Sequence, residues 1–147
     1  HTPTRRQRQM CIRDRVFANE GNFIELNLFK DHSFDEPLHE KVLQKETNDI
    51  VLDMLVETVN SSNGTASKAR LQGKIVAGKT GTAKESLEEE TTYSATFAGF
   101  VPHDEPELLA VVVLNGLSGE EYSGGKVSAP VFSRLMQQIF MLQDLKI

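Results

Sequence analysis

The spacing of apolar positions predicts an amphipathic helix over residues 46–59. Apolar residues recur there at intervals of three and four and would share one face of the helix, namely Ile50, Val51, Met54, Leu55 and Val59. Polar residues near its start are candidate N-caps, namely Thr47, Asn48 and Asp49. The polar run 60–64 is expected to end the helix, with Gly64 able to adopt the positive φ of a helix C-terminus.

A second helix is predicted from about Ala129 to Leu142. Ser128 is a favourable N-cap, and Pro130 then falls in the first turn, where its missing N–H has no intrahelical partner to lose. The apolar residues form one wide face, made of Val131, Leu135, Ile139 and Leu142 with Phe132, Met136 and Phe140 beside them. A helix with such a face is suited to lie across a sheet.

Strand patterns occupy much of the remaining sequence. A turn at 19–21 is followed by apolar positions at 23–29 that indicate a strand, and the polar stretch 31–45 is predicted to be a loop or a short helix. Three further strands are predicted close together, at 74–77 running into 79–82, at 94–101 and at 108–114. The last is apolar at every position from 109 to 114, which favours a central place in a sheet that is covered on both faces.

The order of these elements indicates the fold class. Three consecutive strands with short connections favour an antiparallel sheet, and the two helices would pack on it, so we expect an α+β fold. The acidic stretch at 85–90 lies between the first two of the three strands and is predicted to be a solvated hairpin loop.

Composition narrows the class of protein. The 147 residues correspond to one domain or part of one, and a net charge of −5 argues against a basic nucleic-acid binder. No apolar run reaches the roughly 18 residues of a membrane-spanning helix. A single cysteine rules out an internal disulfide, and the four histidines are scattered, so we expect no metal and no cofactor.

The first 15 residues differ from the rest of the sequence. They contain five of its seven arginines and show no apolar period. We therefore expect residues 1–15 to be a disordered or non-native leader, and residues 16–147 to form the folded part.

Chemistry is concentrated in residues 76–84, where two motifs overlap. Gly73, Gly78, Lys79 and Thr80 match the phosphate-binding loop pattern G-x-x-x-x-G-K-[ST]. Such a loop needs a strand before its first glycine and a helix that starts at the lysine. No apolar run precedes Gly73, and Gly81 stands where the helix would begin, so a nucleotide-binding loop is only a remote alternative.

The second motif is a strand that ends in Lys-Thr-Gly-Thr at 79–82, and it resembles the third active-site motif of the penicillin-recognising serine enzymes. The flanking segments 66–84, 93–102, 109–113 and 122–132 resemble class B penicillin-binding proteins. The run 122–132 is most similar to the septal, cell-division transpeptidase. The resemblance covers roughly residues 17–145.

This resemblance implies a fold and a function. Residues 16–147 would be the C-terminal part of a penicillin-binding transpeptidase domain with a β-lactamase-like fold. The parent enzyme would be a D,D-transpeptidase that cross-links peptidoglycan stem peptides ending in D-Ala-D-Ala through a serine acyl-enzyme, and β-lactams would inhibit it. It would work with the septal division machinery at the periplasmic face of the bacterial inner membrane, without binding nucleic acid.

The resemblance also implies roles for four residues. Lys79 and Thr82 would be catalytic, with the backbone N–H of Thr82 forming half of the oxyanion hole. Thr80, Gly81 and Thr82 would bind the substrate, the hydroxyls at its terminal carboxylate. Gly81 would let the substrate backbone approach the strand closely.

Two other motifs of the family, Ser-x-x-Lys and Ser-x-Asn, are expected upstream of the Lys-Thr-Gly-Thr strand. Ser123 and Lys126 spell the first and Ser61 and Asn63 the second, but neither pair occupies the family's position, so we interpret both as coincidences. This chain alone is therefore expected to be inactive. The alternative is a non-catalytic module that binds a peptide or a division partner.

Overall fold

The computed structural model describes residues 3–24, 39–87 and 90–144. The described residues form three helices, a single 3-10 turn and two antiparallel sheets, which confirms the predicted α+β class. In chain order the elements are α1 (Pro3–Ala18), β1 (Asn22–Ile24), β2 (His39–Lys41), α2 (Lys45–Asn60), the 3-10 turn (Ser67–Ala69), β3 (Ala77–Leu87), β4 (Glu90–Val101), β5 (Leu108–Leu117) and α3 (Gly124–Asp144).

The three-stranded sheet has the order β3-β4-β5, so β4 is its central strand. The prediction that residues 108–114 lie centrally is wrong for this sheet, because β5 pairs only with β4 within the described residues. Its continuous apolar pattern has another cause, since both α1 and α3 contact β5. These helices cover apolar side chains of β5, so the strand can be apolar throughout without lying in the middle of the sheet.

Strand β3 differs from its prediction at both ends. It starts at Ala77, three residues later than predicted, because residues 71–74 form a turn in which Gly73 has a positive φ of 77°. It also extends to Leu87, so Glu85 belongs to a strand rather than to a hairpin loop. The Glu85 carboxylate lies 2.9 Å from the Ser94 hydroxyl of β4, which gives the acidic side chain a partner within the sheet. Residues 88–89 of the predicted loop lie outside the described residues.

Helix α3 packs across the sheet and closes the core. Phe132 of α3 meets Phe97 of β4 edge-on, with ring centroids 4.9 Å apart, and both side chains are fully buried together with Val59 of α2. The helix begins five residues earlier than predicted. Ser128 is therefore not its N-cap but a buried residue whose hydroxyl donates to the carbonyl of Ala95, at 3.0 Å.

The face of α3 that packs on the sheet is narrower than the predicted one. Phe132 and Met136 are buried, whereas Val131, Leu135 and Leu142 are exposed. Because the helix starts at Gly124, Pro130 lies inside it rather than in its first turn. The apolar pattern predicted that a helix is present. Which of its apolar side chains are buried depends on how α3 is rotated about its axis against the sheet.

Helix α2 matches its predicted extent to within one residue at each end. Its caps do not match. Gln44 is the N-cap without a side-chain hydrogen bond, and Asn48 is turned inward and buried. Gly64 does not adopt a positive φ. A side chain there is excluded for another reason, because an added Cβ would collide with the carbonyl oxygen of Thr58.

Arg70 caps the C-terminus of α2. Its guanidinium donates to the carbonyl oxygen of Val59, at 2.9 Å, and to that of Ser61. Replacing Arg70 with methionine keeps most of the aliphatic stem but removes both bonds. We expect the free energy of unfolding to fall by about 1–2 kcal/mol in urea titrations followed by circular dichroism. Lys68→Met is the matched control, and equal midpoints for the two variants would contradict this capping role.

The N-terminal segment packs beside the sheet. Helix α1 includes residues 3–15, which the sequence assigned to a disordered or non-native leader; that assignment, and the boundary at residue 16, remain predictions. The predicted turn at 19–21 is present, with φ of 54° at Glu20 and 84° at Gly21. The strand that follows pairs with β2, so residues 39–41 form a strand where a loop or short helix was predicted. Residues 25–38 lie outside the described part.

Candidate active site

Strand β3 places residues 79–82 at the edge of the sheet. One side of β3 pairs with β4, Gly81 lying opposite Thr96. Within the described ranges no strand pairs with its other side. An unpaired edge presents backbone N–H and C=O groups that an extended peptide can pair with as an added strand.

Side chains of 79–82 alternate between the two faces of the sheet. Lys79 is exposed, and its ammonium donates to the carbonyl oxygen of Thr80, at 3.0 Å. On the other face, the Thr80 hydroxyl lies 3.3 Å from the Thr65 hydroxyl. The Thr82 hydroxyl accepts a hydrogen bond from the backbone N–H of Gly124, at 3.2 Å. The four predicted site residues therefore provide one cation and two hydroxyls along a short length of exposed strand.

The glycine at position 81 is required by its cross-strand neighbour. An added Cβ would collide with the Thr96 hydroxyl on β4, so the sheet itself excludes a side chain at this position. Gly78 is similarly constrained, because its added Cβ would lie 2.5 Å from the ring of Phe97. The role predicted for Gly81 in the approach of a substrate is a separate matter and remains a prediction.

The first turn of α3 rests directly on this strand. An added Cβ on Gly124 would collide with the carbonyl oxygen of Thr96 and lie 2.7 Å from that of Gly81. One on Gly125 would collide with the carbonyl oxygen of Thr65. The glycine pair thus permits the helix start to touch β3 and β4. Sequence reasoning missed this role and that of Thr65; the signal was a glycine pair a few residues ahead of the predicted amphipathic helix.

The Ser-x-x-Lys pattern at 123–126 and the Ser-x-Asn pattern at 61–63 both lie at helix ends. The carbonyl of Ser123 accepts hydrogen bonds from the first turn of α3, at 2.9 Å from the N–H of Lys126. The ammonium of Lys126 lies 3.7 Å from the Glu121 carboxylate. Ser61 is the C-cap of α2, and its hydroxyl accepts from the N–H of Asn63.

The phosphate-binding loop is excluded by the same strand. Residues 78–80 lie within β3, whereas that motif requires a loop that leads into a helix at the lysine. In β3 the backbone N–H groups alternate in direction and cannot surround a phosphate together.

A family model described as the penicillin binding protein transpeptidase domain matches residues 9–137. The chain belongs to this family. The matched region contains the Lys-Thr-Gly-Thr strand and most of α3, which agrees with the resemblance stated for 79–82 and 122–132.

Relatives of this transpeptidase segment cover most of its length. The peptidoglycan D,D-transpeptidase FtsI of Buchnera aphidicola subsp. Schizaphis graminum is 35% identical over 136 residues, which is 90% of this chain and 23% of the relative. The probable peptidoglycan D,D-transpeptidase PbpC of Pseudomonas aeruginosa is 32% identical, over 82% of this chain and 21% of the relative. The chain therefore spans less than a quarter of the length of these relatives.

Solved transpeptidase structures have the same fold. The transpeptidase domain of FtsI4 from Legionella pneumophila matches with a TM-score of 0.66 and 30% identity, over 86% of this chain and 43% of that one. The transpeptidase domain of penicillin-binding protein 3 from Burkholderia pseudomallei matches with a TM-score of 0.71 and 29% identity, over 90% and 40% respectively. These matches confirm the predicted fold class and family.

Proposed function

We propose that this segment supplies the substrate-binding strand of a septal peptidoglycan D,D-transpeptidase. The observation that supports this most directly is the position of residues 79–82 on a sheet edge that has no partner strand within the described residues. A stem peptide in an extended conformation would add to this edge through main-chain hydrogen bonds. The names of the relatives, which include FtsI from several bacteria, support the reaction and the septal type.

The side chains of 79–82 would recognise the end of that peptide. A terminal carboxylate is best held by a cation together with neutral donors, because charge-assisted hydrogen bonds are the stronger ones. Lys79 would supply the cation, and the hydroxyls of Thr80 and Thr82 would supply donors. The backbone N–H of Thr82 would contribute one donor to the oxyanion hole and stabilise the negative charge that develops on the carbonyl oxygen.

The reaction would be completed by a nucleophile outside these residues. A serine, activated by the lysine of a Ser-x-x-Lys motif, would attack the penultimate D-Ala carbonyl, release the terminal D-Ala and form an acyl-enzyme. An amine of a second stem peptide would then take the acyl group. β-Lactams would acylate the same serine. We place the parent enzyme at the periplasmic face of the inner membrane with the septal division machinery as its partner; no helix of the described ranges is long and apolar enough to cross a membrane.

The acyl-enzyme proposal predicts different behaviour for this chain and for a longer protein that carries it. The chain alone should gain no mass when it is incubated with benzylpenicillin, since its only Ser-x-x-Lys pattern begins at Ser123 and lies at the start of α3. The longer protein, with an upstream Ser-x-x-Lys, should gain the mass of one penicillin. Intact-mass spectrometry measures both, and a penicillin adduct on the chain alone would overturn the assignment.

A single substitution tests the role of Lys79. In the longer protein, Lys79→Gln should lower the second-order rate constant of penicillin acylation about tenfold or more, because it removes the charge-assisted contact to the carboxylate of the drug. Lys84→Gln is the matched control, since Lys84 is also an exposed lysine of β3. Equal acylation rates for the two variants would exclude a carboxylate-binding role for Lys79.

A further inference from the structure

Strand β5 contains a β-bulge level with the end of the Lys-Thr-Gly-Thr segment. On β4, Tyr93 pairs with Leu117 of β5. Two residues further along β4, Ala95 pairs with Leu114, which is three residues away along β5. Within this extra length Gly116 has a positive φ of 70°. Bulges bend a strand, redirect side chains and are common next to active sites. The proposed function of the Lys-Thr-Gly-Thr strand gives this bulge no role.

Polar side chains from all three strands of the sheet meet at this bulge. Ser94 of β4 is buried, and its hydroxyl lies 2.9 Å from the carboxylate of Glu85 on β3. The same hydroxyl lies 2.9 Å from the side-chain amide of Asn115 on β5. These two contacts tie both neighbouring strands to β4 at the bulge. They therefore fix the backbone from which the adjacent side chain, that of Tyr93, projects.

The ring of Tyr93 stacks on the ring of Tyr122. Their centroids are 3.8 Å apart and their planes are inclined by 14°, so the two faces overlap closely. Both residues are half-buried. Tyr122 belongs to the connection 118–123, which contains no helix or strand and joins β5 to α3. Aromatic pairs stabilise a structure by more than the area they bury, so the stack holds the end of this connection to β4.

Helix α3 begins two residues after Tyr122 and touches the Lys-Thr-Gly-Thr strand there. The N–H of Gly124 lies in the first turn of α3, where it has no acceptor inside the helix, and it donates to the Thr82 hydroxyl at 3.2 Å. A backbone N–H can only donate, so the oxygen of Thr82 is the acceptor in this bond. The hydrogen of the Thr82 hydroxyl is thus left for another acceptor, such as the carboxylate of a bound peptide.

The direction of that hydroxyl depends on the place of the first turn of α3, and the tyrosine stack anchors the chain two residues ahead of this turn. We propose that Tyr93 and Tyr122 are positioning residues, whose stack holds the start of α3 so that the Thr82 hydroxyl donates to the substrate carboxylate. This inference rests on the proposed role of Thr82 in binding that carboxylate. Both tyrosines act through the backbone of the connection and the hydrogen bond from Gly124, without touching the substrate.

Amide hydrogen exchange in the purified, isotope-labelled chain tests the structural step without any reaction. Tyr93→Leu should speed the exchange of the Gly124 N–H at least about tenfold, because loss of the stack frees the connection to open locally. The N–H of Ala66 donates to the carbonyl oxygen of Thr58, at 3.0 Å, and should keep its exchange rate as an internal reference. Tyr93→Phe keeps the ring and should leave both rates within about twofold of the unsubstituted chain.

Acylation of the longer protein tests the link to the carboxylate. Tyr93→Leu and Tyr122→Leu should each lower the second-order rate constant for benzylpenicillin about fivefold, the effect of one hydrogen bond. Benzylpenicillin methyl ester lacks the charged carboxylate, so the same variants should change its rate constant by less than about twofold. Tyr93→Phe should keep the rate constant for benzylpenicillin within about twofold of the unsubstituted protein. A purely structural loss would slow both compounds to the same degree.

An unchanged exchange rate of the Gly124 N–H in Tyr93→Leu would overturn the proposal, and so would an equal rise at Ala66. Equal slowing of acylation by benzylpenicillin and by its methyl ester would overturn it as well. If Tyr122→Leu slowed acylation and Tyr93→Leu did not, Tyr122 would contact the drug itself and the stack would have no positioning role. Absence of acylation in the unsubstituted longer protein would instead contradict the proposed function, and the exchange rates would still decide whether the stack holds the start of α3.

Discussion

Truncation of Phe97 to alanine is expected to lower the free energy of unfolding by about 3–5 kcal/mol, the range typical of a buried phenylalanine. Phe97 is fully buried on the central strand β4, and its ring packs edge-on against Phe132 of α3. It also lies close against Gly78 of β3. The ring of Phe97 thus joins β4 to β3 and α3, and the cavity left by its removal would loosen the packing of all three elements.

Chemical denaturation followed by circular dichroism measures this loss. Met54→Ala is the control, because Met54 is a large apolar residue that is 61% exposed on α2. It should change the stability by less than about 0.5 kcal/mol. If Phe97→Ala and Met54→Ala shifted the unfolding midpoint equally, the core described for β4 and α3 would be wrong.

A side chain at position 124 is expected to produce the second large effect. Gly124→Ala places a methyl group against the carbonyl oxygens of Thr96 and Gly81, which are backbone atoms of paired strands and cannot move independently. The start of α3 must therefore shift away from β3. We expect a loss of about 2–3 kcal/mol of stability, as for other overpacked sites, because the shift also breaks the hydrogen bond from Gly124 to the Thr82 hydroxyl.

Lys126→Ala serves as the control for Gly124→Ala, since Lys126 is an exposed residue of the same turn. In the longer protein, the glycine substitution should also slow penicillin acylation, whereas the control should not. Unchanged stability and acylation in Gly124→Ala would show that α3 does not press on the strand as closely as described.

Local pattern was sufficient for several elements. The apolar stripe of α2 predicted its extent to within one residue at each end. An apolar residue at every third or fourth position marks one face along the whole length of a helix, so the pattern starts and stops with the helix. The core of β4 was also predicted, since residues 94–101 lie within the observed strand Glu90–Val101. The Lys-Thr-Gly-Thr motif was found by resemblance, and the structure places it on an exposed strand edge.

Other features depended on contacts between distant residues. Ser128 has the character of an N-cap, yet it lies inside α3, where its hydroxyl donates to the carbonyl of Ala95, 33 residues away in sequence. Asn48 was a candidate cap for α2, but its side chain is buried and its amide nitrogen donates to the carbonyl oxygen of Phe17. Polar residues near helix ends have several possible partners, and the local sequence does not rank them.

The sequence by itself determined the α+β class, the family and the segment 79–82 as the centre of the expected chemistry. The class follows from periodicity, and the family and the segment follow from the resemblance of short runs of residues to a known family; both rest on residues that are neighbours in sequence. The tertiary structure decided the central position of β4, the inward face of α3 and the contact of Gly124 and Gly125 with the strand. Each of these depends on which elements lie against one another, because a side chain is buried or excluded by atoms that are remote in sequence and close only in the folded chain.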